Sequence, residues 1–111
     1  MAGTFYPNDA SVLRREVQKH LSTVSTDDTK SVPKAIIAPH AGYRFSGDVA
    51  ASAYALLKPA ADRITRVVLM GPCHRVAVTG LALSGADYFE TPLGRVEIER
   101  HVFGIEMRER R

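Results

Sequence analysis

No internal disulfide can close in this chain, because its 111 residues hold one cysteine, Cys73. That excludes the disulfide scaffold of small secreted domains and fits a reducing, cytoplasmic compartment. No apolar run approaches the roughly 20 residues of a membrane span. The N-terminus lacks the basic segment and apolar core of a secretory signal. No basic stripe interleaved with aromatics is present, so a net charge of +3 and a pI near 9.3 do not mark a nucleic-acid binder. Three of the basic residues, Arg108, Arg110 and Arg111, simply crowd the end of the chain. Gly71-Pro72 is no phosphate loop, since the Gly-rich spacing and its lysine are missing. Repeats and low-complexity segments are absent too. What remains, 45% hydrophobic and 24% charged residues, is the composition of one soluble globular domain over residues 1–111.

Within that domain the apolar pattern changes period along the chain. Phe5 and Tyr6 sit in a short lead and are expected to be buried. Asp9 is a good N-cap for a helix over about 10–23, in which Leu13, Val17 and Leu21 fall at i, i+4, i+8 with Val24 extending the stripe. Residues 22–30 are polar and read as a surface loop. Residues 34–39 form an apolar run suited to a strand buried on both faces, as in parallel sheets. Asp48 is placed to cap a second helix over about 49–58, lined by Val49, Ala53 and Leu57 and stopped by Lys58-Pro59. Residues 66–70 form a second apolar run. Strand, helix, strand in this space predicts a βαβ unit with parallel strands and a right-handed crossover. Residues 81–84 suggest a third strand. Residues 91–94 suggest a turn, and residues 95–99 a half-exposed strand.

Two histidines then stand out, His40 and His74, each just past one of the apolar runs. In an open α/β sheet, ligands bind outside the carboxyl ends of the strands. A lone histidine there is most often structural, held by a backbone carbonyl. Two of them on successive strands, with Tyr43 and Ser46 beside the first, suggest a pocket. Neutral imidazole suits iron, copper, zinc or nickel, yet non-haem iron and catalytic zinc need a third ligand. Asp48, Asp87 and Glu90 are the nearby carboxylates, Asp48 read as a cap and the other two as solvated. Cys73 is read as a small buried residue rather than a thiolate ligand, because neighbours on an extended segment point to opposite sides. Arg44 and Arg75 stand near the two histidines, suited either to ordinary surface or to an anionic substrate held by paired hydrogen bonds. His20 and His101 carry no motif.

Four segments occur in a telling order: Ala2-Gly3-Thr4-Phe5-Tyr6-Pro7, Pro39-His40-Ala41-Gly42-Tyr43-Arg44-Phe45-Ser46-Gly47, Gly71-Pro72-Cys73-His74-Arg75 and Thr91-Pro92-Leu93-Gly94. Together they resemble the Memo family, whose prokaryotic members are called AmmeMemoRadiSam system protein B. The resemblance covers about residues 2–100. It implies an α/β fold, a mostly parallel sheet flanked by helices, like that of the class III extradiol dioxygenases. It implies a pocket in which His40 and His74 ligate a metal; iron or copper is the expected ion, and Tyr43, Arg44 and Arg75 are the expected substrate-binding groups. The implied chemistry is metal-dependent redox or dioxygenase-like. The implied partners are a radical-SAM protein and an AMMECR1-like protein.

The departures are as specific as the match. Family members are more than twice this long. Their later half carries a His-x-x-Glu-His-Ser-x-Glu motif and a distal cysteine ligand, and neither is here. Cys73 stands where relatives commonly have serine, so it does not replace that cysteine. The expectation is therefore an incomplete, N-terminal portion of a Memo-like domain with a divergent tail over 101–111. Such a portion, holding two ligands, is expected to bind metal weakly or not at all. Two other readings stay open. One is a non-catalytic interaction module in which Arg44 and Arg75 matter most. The other is an inactive fragment whose uncovered sheet edge and apolar face leave it marginally stable or oligomeric.

Overall fold

The computed structural model describes residues 1–25 and 31–99. The expectations for residues 26–30 of the polar loop, for His101 and for the tail lie outside the described residues. The chain divides into two compact units, the first Met1–Val67 and the second from Val68 onward.

The first unit is built on two helices. Helix α1 spans Ala10–Ser22 and starts where Asp9 caps it, its carboxylate accepting from the amides of Ser11 and Val12. The cap satisfies amides that a helix start otherwise leaves unpaired. The predicted stripe is real: Leu13 is buried, and Val17, Leu21 and Val24 are half-buried. Helix α2 spans Tyr43–Tyr54 and packs against α1. It begins six residues earlier than the sequence suggests, and its N-cap is Gly42 rather than Asp48. Asp48 therefore lies inside the helix. The earlier start also changes which face is buried. Gly47, Ala51 and Ala55, at i, i+4, i+8, are buried, whereas Val49 is 64% exposed. Small residues let the two helices approach closely. They leave the bulkier stripe of Phe45 and Val49 facing outward. A 3-10 turn, Ala55–Ala60, follows directly and contains Pro59, with Ala60 buried.

The lead Met1–Pro7 is a tight loop. Gly3 adopts a φ of 80°, and its amide donates to the Tyr6 carbonyl, while the Phe5 amide donates to Met1. Phe5, expected to be buried, is 38% exposed, and Tyr6 is half-buried. The loop reaches the rest of the unit through its backbone, the Phe5 carbonyl accepting the Tyr43 amide at 2.8 Å, and through the Tyr6 ring.

Among its described residues, the second unit contains one regular element, a hairpin. Strand β1, Tyr88–Thr91, pairs antiparallel with β2, Gly94–Glu97, in the register Tyr88 opposite Glu97 through Thr91 opposite Gly94. Residues 91–94 turn as expected. Gly94 takes a φ of 133°, and the Thr91 hydroxyl accepts the Leu93 amide. Glu90, read as a solvated carboxylate, is exposed and belongs to β1.

The larger expectation, a parallel sheet, is not what the described residues form. The α/β class stands at the coarse level of two helices and a small antiparallel sheet. Residues 34–39, 66–70 and 81–84 are in neither strand. Ile37 is 99% exposed, and Val67, Val68, Leu69 and Met70 are 70–78% exposed. The physical reason is partnership. A parallel strand closes no hydrogen bonds within itself and needs neighbours distant in sequence. These runs keep the composition of buried strands without the neighbours that would bury them.

Candidate functional site

His40 stands just ahead of α2, on the exposed segment that leads into Gly42. The turn after it is held from three directions. The Phe5 carbonyl accepts the Tyr43 amide. The Ser46 hydroxyl, 9% exposed, donates to the Ala41 carbonyl at 3.0 Å. The Gly42 carbonyl accepts the amides of Phe45 and Ser46. A Cβ at position 42 would stand 3.2 Å from the Phe5 oxygen and 3.3 Å from its Cα. Glycine is thus what lets the lead loop lie against the start of α2. Two motifs separated by some thirty residues of sequence, Ala2–Pro7 and Pro39–Gly47, are one piece of structure.

Tyr43 opens α2 in the middle of that piece. Its ring centroid lies 6.0 Å from that of Tyr6 and 6.2 Å from that of His20, the latter edge-on at 89°. Burial raises the phenol above its ordinary 10.0, and the neighbouring Tyr54, Tyr6 and Glu16 raise it further. The side chain stays a neutral hydroxyl at physiological pH, able to donate and accept. Arg44 is exposed, its guanidinium 6.0 Å from the Phe45 ring centre.

His74, Arg75 and Cys73 belong to the second unit, on an exposed stretch outside the hairpin. Cys73, expected to be a small buried residue, is exposed. Its segment carries no covering element, so burial fails for the same reason as the strands. The structure thus brings His40, Tyr43, Arg44 and Ser46 onto one turn, and holds His74 and Arg75 in the other unit. Among the described residues, no group of three or more His, Cys, Asp or Glu side chains lies together to hold a metal ion.

Sequence reasoning missed His20. Its Nδ1 lies 2.6 Å from Asp48 Oδ1, and its Nε2 lies 3.7 Å from Glu16 Oε1. The ring lies directly over Gly47, where a Cβ would fall 2.6 Å from Nε2. The available signal was the glycine itself. A glycine inside a helical pattern costs stability and usually has a packing reason.

Comparison with known proteins places this arrangement. The family model described as Memo-like protein matches residues 1–108. Protein MEMO1 of Xenopus tropicalis is 41% identical over 103 residues, covering 93% of this chain and 33% of the relative. Protein MEMO1 of Homo sapiens is 38% identical over 103 residues with the same coverage. A MEMO1 family protein of Methanopyrus kandleri is 37% identical over 106 residues, 89% of this chain and 37% of the relative. The chain spans about a third of the length of these relatives. No solved structure matches it.

Proposed function

The chain belongs to the Memo-like protein family, and from that premise we propose that it supplies two imidazole ligands, His40 and His74, to a metal pocket with redox or dioxygenase-like chemistry. The observation that carries this reading is the seating of His40. It precedes a helix start fixed by Phe5, Gly42 and Ser46, with Tyr43 and Arg44 on the first turn of that helix. A ligand needs such a backbone, because a metal site works only when its donors are held in place.

The donor set fits iron or copper in kind and falls short in number. Non-haem iron takes two histidines and a carboxylate, leaving positions open. We place the third donor in the two-thirds of the relatives' length that this chain does not span. A bound ion would act as a Lewis acid and redox centre. Arg44 and Arg75 would hold an anionic substrate by charge-assisted hydrogen bonds, and Tyr43 would donate a proton or hydrogen bond from its neutral hydroxyl.

The same reading gives the exposed apolar surface a purpose. On this reading residues 34–39 and 66–70, outside the strands here, would enter a helix-flanked, mostly parallel sheet of the class III extradiol dioxygenase kind in the relatives' full length, and residues 34–39 would take the Phe45–Val49 face of α2 as cover. Ile37, Val67–Met70, Phe45 and Val49 are all exposed here, which supports the assignment. A radical-SAM protein and an AMMECR1-like protein are the partners on this reading, and co-purification tests them.

Anaerobic equilibrium dialysis with Fe(II), then with Cu, tests the ligands. Weak binding that is lost in both His40→Ala and His74→Ala is the expected result. One metal per chain retained in His40→Ala would show that the ligands lie elsewhere.

A further inference from the structure

We propose that His20 is a positioning residue for Tyr43, locked in place by Asp48 and admitted by Gly47. This rests on the reading of Tyr43 as a pocket residue. The observations behind it come from α1 and α2 alone.

His20 sits in the last turn of α1 and reaches across to α2. An ionised carboxylate only accepts hydrogen bonds, so the Asp48 contact fixes a proton on Nδ1 and with it the rotation of the ring. Gly47 removes the Cβ that would collide with Nε2, so the ring lies flush on α2. The edge of the fixed ring then meets the Tyr43 ring at 89°. Edge-to-face is a preferred aromatic geometry, stabilising one ring orientation over others. Tyr43 is thereby held between Tyr6 and His20, while its amide is held by Phe5.

The asymmetry of exposure argues that the contact serves position more than core packing. Asp48 is 83% exposed, and the His20 side chain is 19% exposed. An acid on open surface contributes little to a core, but it is well placed to orient the half-buried ring beside it. Glu16 on α1 faces the other ring nitrogen, so carboxylates flank the imidazole from both helices.

The test reads Tyr43 directly in the full chain and needs no metal. Ultraviolet titration of each background, minus the same background carrying Tyr43→Phe, isolates the Tyr43 phenol from Tyr6, Tyr54 and Tyr88. In His20→Ala and Asp48→Ala the raised titration should fall back toward 10.0 as water reaches the freed ring. His20→Asn, whose side-chain amide still donates to Asp48 but which has no ring to meet Tyr43, should fall with the alanine variants. Unchanged Tyr43 titration in both alanine variants overturns the proposal. If His20→Ala loses its helical circular dichroism, Asp48→Ala decides alone, since its exposed side chain leaves no cavity. Metal retained in His40→Ala together with an intact titration effect would refute the pocket and leave the positioning standing.

Discussion

The two units of this chain respond differently to the same physical demand. In the first, helices close their own hydrogen bonds within four residues, and α1 and α2 pack against each other although residues 23–42 separate them. In the second, residues with strong strand composition lie open, and among the described residues regular structure is confined to a hairpin whose partners are neighbours in sequence. Elements that close their own hydrogen bonds locally form and can then pack on distant ones, whereas runs that need a distant strand to close theirs stay open. Loop-closure entropy must be met before non-local pairing returns anything, which places parallel strands last in that order.

The sharpest way to break this comparison is to strike each unit at its apolar residues. Leu13 is 3% exposed between the helices, and Val68 is 70% exposed. Leu13→Ala should cost about 2–3 kcal/mol, the lower part of the usual range for a buried leucine, because so small a core can partly collapse. The loss should appear as an earlier melt of the helical signal at 222 nm. Val68→Asp should leave that melt unmoved. Equal destabilisation by both would mean that Val68 is packed in solution and that the contrast between the units is wrong.

That contrast also separates what the sequence makes legible from what it hides. Asp9, the Leu13 stripe and the turn at residues 91–94 follow from rules spanning a few residues, and each is found. The start of α2 does not. Asp48 has the chemistry of a cap, but Gly42 begins the helix because the Phe5 carbonyl is there to receive the Tyr43 amide. That partner is 38 residues away and leaves no trace in a local pattern. His20 is hidden for the same reason, since its meaning comes from Asp48 and Gly47 on another helix. The motifs around His40 and His74 are legible as segments. Their geometry as a site depends on long-range pairing, which local patterns do not specify.

A smaller effect tests the first unit at its most local point. The Ser11 hydroxyl and then the Val12 amide hold the Asp9 carboxyl below its usual range. A carboxylate depressed in the folded state adds stability above its unfolded pKa of about 3.9 and loses it as pH falls through the lower folded value. Wild-type chain should therefore lose helicity at its α1 start as pH drops below about 4. Asp9→Asn, which caps without ionising, should flatten that step while keeping the melt at neutral pH. Asp9→Ala should lower the melt at both. A wild-type acid profile that Asp9→Asn leaves unchanged would assign the transition to another group.

The smallest expected effect lies in the hairpin. Arg95 stacks over Tyr88 with its guanidinium 4.4 Å from the ring centre, and its Nε donates to Glu90 at 3.2 Å. All three lie on β1 and β2, with Glu90 directly opposite Arg95. Both members of the ion pair are about 60% exposed, so the pair itself is worth no more than a few tenths of a kcal/mol. The stacking adds roughly 0.5 kcal/mol at an exposed site. Yet a two-stranded hairpin is marginal in water, so even this much should shift its population. Arg95→Ala should weaken the cross-strand amide shifts of 88–97 and leave the α1 and α2 resonances in place. Arg95→Lys, which keeps the charge but not the flat stacking surface, should fall between the two. If Arg95→Ala left the hairpin intact, its order would come from partners beyond Thr91–Gly94, and the rule that only local partners act in this unit would fail.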